Sequence, residues 1–234
     1  MTNTSSQSKY APQSMQDVVF NDPQTKVFME AIVAKKYKPL HLMLHGTSGN
    51  GKTSIANIIA RELTQDSGLW LKHSIEEFLA IDDLHNFLDR NQRAFGASSS
   101  DRCVIVFHEL DQYKRDLSKL WTAMDEREDL LMVIITTNNP TNFPTPILSR
   151  CAKYEFTKID PSIFAYRAQW ILSEEGVNLS LYDVTQYLTK YTGQAADVRT
   201  YMQVIDQMLC LHSLGLLPPL QKQPLKPVTL TIAK

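Results

Sequence analysis

Cysteine is scarce in this chain of 234 residues. The three cysteines, Cys103, Cys151 and Cys210, lie far apart and form no C-x-x-C pair, so neither a disulfide framework nor a structural zinc site is expected. This composition fits a reducing cytoplasm. Long apolar runs are also missing, since none approaches the ~18 residues that a membrane-spanning helix requires. Residues 1–8 do not resemble a secretory signal, and we expect no membrane association.

A surplus of charge of either sign is absent as well. The chain carries 24 Lys and Arg residues against 25 Asp and Glu residues, a formal net charge of -1. Overall charge therefore does not indicate nucleic-acid binding, and any surface for DNA would have to be a local patch. Hydrophobic residues make up 43% of the chain, which is enough for a substantial core. The length suits one α/β domain with a smaller second domain.

The most informative stretch is residues 46–53, G-T-S-G-N-G-K-T, which fits the G-x-x-x-x-G-K-[ST] pattern of a phosphate-binding P-loop. The apolar residues 40–45 predict a buried strand before it, and residues 54–63 have the periodicity of a helix after it. Loop and helix amides would surround a phosphate. Lys52 would reach the β and γ phosphates of a nucleotide, and the Thr53 hydroxyl would bind Mg²⁺. The predicted phosphate-binding residues are Gly46, Thr47, Ser48, Gly49, Asn50, Gly51, Lys52, Thr53 and Ser54.

Strand and helix patterns alternate up to about residue 158. Further strands are predicted at 69–71, 103–107, 130–135 and 152–156, with helices at 23–35, 82–94, 113–126 and 145–149 and a flexible loop at 96–100. This alternation is typical of an α/β fold with a doubly wound parallel sheet, which binds ligands at the carboxyl ends of its strands.

The strand signals stop at residue 161. Helices are predicted over 161–175, 180–191 and 194–213, which indicates a small all-helical second domain. We assign residues 1–8 to a disordered tail, 9–158 to the α/β domain, 159–213 to the helical domain, and 214–234 to an extended tail rich in proline.

Several polar residues follow the predicted strands and could act on a bound nucleotide. Glu109 ends the strand at 103–107 and could polarise a water for attack on the γ-phosphate, and Asn138 could orient that water. Arg150 could reach a phosphate held by another subunit, and Arg199 could contact the γ-phosphate from the helical domain. Taken singly, Glu109 also fits an exposed acidic residue at a strand end and Asn138 also fits a turn. Each arginine, taken singly, is more often a surface charge or an ion-pair partner.

In this order, the motifs resemble an AAA+ ATPase of the clamp-loader family, which includes replication factor C small subunits, bacterial polymerase III γ/τ and δ′ subunits, and the T4-type phage loader. Besides the Walker A motif at 46–53, the resemblance rests on a K-Y-R-P-like opening at 9–12, in which Ala11 replaces Arg, a Walker B motif at 104–109, a first sensor at 136–139, an S-R-C motif at 149–151, and a second sensor at 193–199.

The resemblance implies an ATP-dependent oligomer with a helical lid, in which an arginine of one subunit reaches its neighbour's ATP. It implies catalytic roles for Lys52, Glu109, Asn138, Arg150 and Arg199. It also places Tyr10, Pro12, Val18 and Val19 beside the adenine. The expected ligands are therefore ATP and Mg²⁺.

Two features depart from the family pattern. His108 stands where the family has the Walker B aspartate that helps hold Mg²⁺. A neutral imidazole brings no negative charge, and Mg²⁺ prefers oxygen ligands, so weak Mg²⁺ retention and slow turnover are expected with ATP binding intact. The sequence also stops after the lid, without the family's collar domain, so assembly is expected to rely on ATPase–lid contacts, the tail or partner subunits.

The resemblance implies DNA as a partner, identical or homologous AAA+ subunits bound through Arg150, and a sliding clamp or another replication or recombination protein as client. The short length fits a phage or mobile element. Two alternatives stay open: a helicase loader or transposition regulator that wraps DNA, and a non-hydrolysing scaffold in which ATP joins subunits. The candidate DNA contacts, which an ordinary solvated helix face explains equally well, are Arg90, Arg93, Lys114, Arg115 and Lys119.

Overall fold

The computed structural model describes residues 5–65, 69–94 and 102–217. The predicted loop at 96–100, the first four residues of the predicted N-terminal tail and residues 218–234 of the predicted C-terminal tail lie outside the described residues. No helix among the described residues is long and apolar enough to span a membrane.

One parallel sheet organises the α/β part of the chain. Within the described residues its strands are β1 (His41–Gly46), β2 (Trp70–Leu71), β3 (Cys103–Phe107), β4 (Leu131–Thr137) and β5 (Cys151–Phe156). They lie in the order β2-β3-β4-β1-β5. All residues of β3 and β4 are buried, as expected for central strands covered on both faces. The doubly wound parallel sheet predicted from the sequence is therefore confirmed.

Helices cover both faces of this sheet. The helices before the second domain are α1 (Ser6–Lys9), α2 (Pro23–Val33), α3 (Lys52–Thr64), α4 (Ile75–Leu79), α5 (Leu84–Ala94), α6 (Ser118–Glu126) and α7 (Thr145–Arg150). Apolar residues of α2 and α3 pack with Val104 and Val106 on one face of β3. Apolar residues of α4 to α7 pack with Ile105 and Phe107 on the other. Side chains of a strand alternate between faces, so β3 anchors both layers.

The second domain is helical, as predicted. It consists of α8 (Pro161–Glu174), α9 (Leu181–Thr192) and α10 (Val198–Ser213). Its core contains Tyr201, whose ring stacks on Phe164 with centroids 4.6 Å apart. The Tyr201 hydroxyl donates to the Ile159 carbonyl at 2.6 Å and accepts from the Ala196 N–H at 3.2 Å. This buried tyrosine thereby fixes the segments that enter α8 and α10.

Two expectations from the sequence are wrong. Residues 5–8 are not a tail, because Ser6 begins α1, is buried and donates its N–H to the Asp206 carboxylate at 3.0 Å. The helix predicted at 113–126 begins only at Ser118, after a 3-10 turn at Leu110–Gln112. The short helix α4 was not predicted, although Ser74 and Glu77 form a capping box at its start.

His41, at the start of β1, is a buried histidine with both ring nitrogens in use. It is 1% exposed. Its Nδ1 accepts from the Val133 N–H at 3.1 Å, which leaves Nε2 to donate to the Met124 carbonyl at 3.2 Å. A proton added at Nδ1 would face an N–H donor. Burial also lowers the pKa of His41 from 6.5 to about 4.

We expect this histidine to make the free energy of unfolding depend on pH. Above pH 6.5 the ring is neutral in both states, and its contribution is fully present. As the pH falls towards 4 the unfolded chain takes up a proton that the folded ring does not, so stability drops by about 3 kcal/mol. Urea unfolding at several pH values measures this loss, which should be much smaller in His41→Gln. The exposed His85→Gln serves as the control, and parallel losses in all three proteins would contradict the assignment.

Candidate nucleotide-binding site

A cavity of about 390 Å³ lies between the loop after β1, the N-terminal segment and the helical domain. Most of the residues predicted to bind the nucleotide line it. They are Tyr10, Pro12, Val18, Val19, Ser48, Gly49, Asn50, Gly51, Lys52, Thr53, Ser54, Glu109 and Arg199. Gly46, Thr47, Asn138, His108 and Arg150 are not among the residues that line this cavity.

The loop at 46–51 can only be built with its glycines. Gly46, Gly49 and Gly51 have φ angles of 125°, 83° and 80°, in the region that favours glycine. A Cβ on Gly46 would lie 2.2 Å from the Phe156 carbonyl oxygen, and one on Gly49 would lie 2.5 Å from Asp197 Oδ1. The loop thus passes directly against β5 and the helical domain.

The N-terminus of α3 opens onto the cavity. Gly51 is its N-cap, and no side chain in the described part of the chain accepts a hydrogen bond from the first turn. The first amides of a helix have no partner within the helix and carry a partial positive charge. Lys52, Thr53 and Ser54, which form this turn, all line the cavity. The arrangement suits an anion such as a phosphate.

Lys52 points its ammonium back into the loop. Its Nζ donates to the carbonyl oxygens of Gly46 and Thr47, both at 2.8 Å, and to Asn138 Oδ1 at 3.0 Å. Burial lowers the pKa of Lys52, and the nearby Glu109 carboxylate opposes that shift. The hydrogen-bond acceptors are neutral, so the positive charge of Lys52 is not neutralised by direct contact and is left for an anionic ligand.

Glu109 is the second residue after β3 and has a left-handed conformation, with φ 49°. Its N–H donates to Thr136 Oγ1 at 3.1 Å, which ties it to the end of the neighbouring strand β4. Its carboxylate accepts from Gln112 Nε2 at 2.6 Å. Asn138 follows β4, so parallel pairing brings both predicted residues to one edge of the sheet. Gln112 was not singled out from the sequence, where a glutamine in a turn gives no signal.

The helical domain contributes two arginines to the cavity. Arg199 lies in the first turn of α10, whose N-cap Asp197 accepts from the Thr200 N–H at 2.9 Å. Arg167, on α8, was not predicted. Its guanidinium lies 4.4 Å from the Trp170 ring centroid and donates to the Asp17 carboxylate at 3.4 Å. Nothing in the local sequence distinguishes Arg167 from a surface arginine on a helix.

The residues next to the cavity offer few ligands for Mg²⁺. Thr53 provides a hydroxyl, but His108 provides an imidazole where a carboxylate is expected. His108 is an exposed residue, yet surrounding atoms still desolvate its ring and lower its pKa, against the effect of Glu109. Asp111 Oδ1 is buried and finds no hydrogen-bond partner among the described residues. In the described ranges no group of three His, Cys, Asp or Glu residues could hold a metal. This donor set fits Mg²⁺ poorly.

Arg150 lies at the amino end of β5, whereas the glycine-rich loop follows the carboxyl end of β1, so the two lie at opposite ends of the parallel strands. It precedes Cys151, which pairs with His41 at the start of β1, whereas Gly46 at the end of β1 pairs with Phe156. The six residues of β1 span about 16 Å between these two ends. Arg150 therefore does not meet the predicted nucleotide site of its own chain.

The Arg150 guanidinium is held at the surface by two neighbours. Its Nε and Nη2 donate to the two carboxylate oxygens of Asp125, and its Nη1 donates to the Pro146 carbonyl at 2.6 Å. This hydrogen-bonded pairing raises the pKa of Arg150. An exposed pair of this kind contributes little to stability, so the side chain can exchange one carboxylate for another anion.

The five predicted DNA contacts are not equally available. Lys119 donates to the carbonyls of Leu79 and Ile81 and so links α6 to the end of α4. Arg93 pairs with Asp89, and Lys114 donates to the Asp111 carbonyl at 2.6 Å. Lys114 and Arg115 lie in the segment before α6, not on a helix as predicted. Arg90 and Arg115 are exposed and have no side-chain partner among the described residues.

Comparison with known proteins agrees with this arrangement. The model of the AAA family, "ATPase family associated with various cellular activities", matches residues 42–158, half of the chain. Replication factor C small subunit 1 of Pyrobaculum aerophilum is 27% identical over 176 residues, which cover 73% of this chain and 52% of that protein. The replication factor C small subunit of Natronomonas pharaonis is 29% identical over 178 residues, which cover 74% of this chain and 53% of that protein. The chain spans about half the length of the curated relatives it matches.

Solved structures show the same fold. The RuvB Holliday junction branch migration motor of Thermotoga maritima superposes with a TM-score of 0.63 and 16% sequence identity, over 88% of this chain and 67% of that one. At this identity the likeness concerns the fold alone. The assignment to a family rests instead on the family model and on the replication factor C relatives. The chain therefore belongs to the AAA family of ATPases, within which its sequence relatives place it among the clamp-loader members.

Proposed function

We propose that this protein is an ATP-driven subunit of clamp-loader type, which assembles with other AAA+ subunits and acts on DNA. One observation carries the proposal: the predicted site is divided between two edges of the sheet. Residues of the glycine-rich loop, Lys52, Glu109 and Arg199 line one cavity, whereas Arg150 precedes β5, at the opposite end of strands that span about 16 Å. A second subunit is needed to bring an Arg150 to the cavity.

The residues of one chain suffice to bind ATP and prepare its hydrolysis. The amides of the loop and of the first turn of α3 hold the phosphates, and the charge of Lys52 neutralises part of theirs. Glu109 is the base that accepts a proton from the attacking water. Its hydrogen bond from Gln112 fixes the carboxylate, and Asn138, which contacts Lys52, helps to orient the water. Arg199 contributes positive charge from the helical domain.

The neighbouring subunit completes this site. Its Arg150 leaves Asp125 for the γ-phosphate, where an arginine stabilises the charge of the transition state. Turnover therefore requires assembly, and hydrolysis weakens the contact between subunits. We expect slow turnover, because His108 replaces the carboxylate that would help to hold Mg²⁺.

We infer that DNA contacts Arg90 and Arg115, the two candidate cations whose side chains make no hydrogen bond or ion pair within the described part of the chain. Both lie on the side of the sheet that α4 to α7 cover. The client is a sliding clamp or another replication or recombination protein. What supports a clamp is the similarity to replication factor C small subunits.

The proposal is tested by ATP turnover measured with and without primed DNA, together with the mass of the assembly. We expect DNA to raise turnover and ATP to raise the mass. Alanine at Arg90 or Arg115 should lower the slope of log DNA affinity against log salt by about 1. The exposed Lys153→Ala and Lys158→Ala variants are controls and should leave it unchanged.

Other outcomes favour other functions. ATP-driven assembly without turnover would point to a scaffold that uses ATP as a structural ligand. Turnover raised by a helicase or a transposase, but not by a sliding clamp, would assign a different client to the same ATPase. An absence of ATP turnover, together with an assembly mass that neither ATP nor DNA changes, would contradict the proposal as a whole.

A further inference from the structure

The first residue after β3 is His108, whose imidazole would be an unusual metal ligand for a nucleotide site. Along β3, Val104 and Val106 face the helix α3, whereas Ile105 and Phe107 face the opposite layer. Continuing this alternation by one residue places His108 on the side of α3. The first turn of α3 carries Thr53.

A second cavity, of about 860 Å³, is lined by both Thr53 and His108. It shares Thr53 and Glu109 with the cavity assigned to the nucleotide, so the two spaces adjoin. The His108 ring makes no hydrogen bond to any described residue, so its nitrogens remain available to a ligand. A metal ion held beside Thr53 on the phosphates of a bound nucleotide would therefore share this second cavity with the His108 imidazole, which stands where an aspartate is expected.

Ligand chemistry separates the metals that such a site can use. Mg²⁺ takes oxygen ligands in octahedral geometry and keeps several of its waters. An imidazole nitrogen favours first-row transition ions, whose affinity rises from Mn²⁺ through Co²⁺ to Ni²⁺. Thr53 and the nucleotide supply oxygens that suit either class of ion. The choice between the two classes thus depends on His108.

We propose that the ion serving this nucleotide site is a first-row transition ion such as Mn²⁺ or Co²⁺, with a His108 ring nitrogen bound directly to it. The inference rests on the proposed binding of ATP. Asp111 is the competing explanation, since its buried carboxylate oxygen has no partner among the described residues. If Asp111 replaced the missing aspartate, Mg²⁺ would be preferred and His108 would be dispensable.

The test compares the full chain with His108→Asp and His108→Gln. The first variant restores a carboxylate, and the second keeps a neutral side chain that has no ring nitrogen. Affinity for the slowly hydrolysed analogue ATPγS is measured with Mg²⁺, Mn²⁺ and Co²⁺. We expect the native chain to bind about tenfold more tightly with Co²⁺ than with Mg²⁺, and both variants to lose this preference.

Pulsed electron paramagnetic resonance on Mn²⁺–ATPγS provides a readout that does not depend on turnover. A nitrogen coupling of a directly bound ligand should appear in the native chain and be absent from both variants. Tight ATPγS binding without this coupling, or with the same metal preference in all three proteins, would overturn the inference alone. Failure to bind ATPγS with any metal would overturn the proposed function as well.

Discussion

Replacing Lys52 with alanine should abolish ATP binding at micromolar concentrations. Lys52 is only 7% exposed and its ammonium is held by neutral oxygens alone, so it is the positive charge that the loop offers to a phosphate. Removing one member of a buried charged pair costs about 2–5 kcal/mol, which corresponds to a loss of affinity of about 30- to 4,000-fold. Titration with a fluorescent ATP analogue measures the change directly.

Two further variants separate this loss from misfolding. Lys52→Gln keeps a hydrogen-bond donor for the loop carbonyls but removes the charge, so it should fold and still bind weakly. Lys36→Ala removes an exposed lysine and should bind as the native chain does. Native affinity in Lys52→Ala, with thermal unfolding unchanged, would show that the cavity is not the ATP site.

Replacing Arg150 with alanine should lower turnover about 10³-fold or more while leaving ATP binding to a single chain intact. Arginines supplied by a neighbour to a γ-phosphate contribute this much in related enzymes. The position of Arg150, at the sheet edge opposite the loop, leaves it no role at the cavity of its own chain. Steady-state turnover and ATP titration of the same preparation distinguish the two effects.

The ion pair with Asp125 provides the matched control. If Arg150 only stabilised the surface through that pair, then Asp125→Asn should reduce turnover as much as Arg150→Ala does. If Arg150 acts on a neighbour's ATP, Asp125→Asn should retain turnover within severalfold, because the arginine still reaches the phosphate. Equal losses in the two variants would remove the argument for a shared site.

The parts of the fold that follow from local chemistry could be predicted from the sequence. The strand β3 is apolar throughout and β4 is apolar up to Ile135. Helices α8, α9 and α10 begin after the capping residues Asp160, Ser180 and Asp197. The glycine-rich loop carries its own backbone requirement in Gly46 and Gly49. Motif order was enough to identify the family.

Long-range contacts could not be predicted in the same way. Docking of α1 depends on the hydrogen bond between Ser6 and Asp206, two hundred positions apart. Arg167 reaches the cavity only because α8 folds back over the N-terminal segment. The late start of α6 reflects a 3-10 turn that the periodicity of residues 113–126 does not reveal. In each case tertiary contacts decide between local alternatives that the sequence leaves equally open.

The most direct test of a site shared between subunits is to mix two inactive variants. Arg150→Ala keeps its own Glu109, and Glu109→Gln keeps its own Arg150. In a head-to-tail assembly of equal parts, roughly a quarter of the interfaces would combine an intact Glu109 with an intact Arg150. We predict that the mixture regains roughly that share of native turnover. A mixture as inactive as its two components, at concentrations where the native chain assembles, would contradict the shared site.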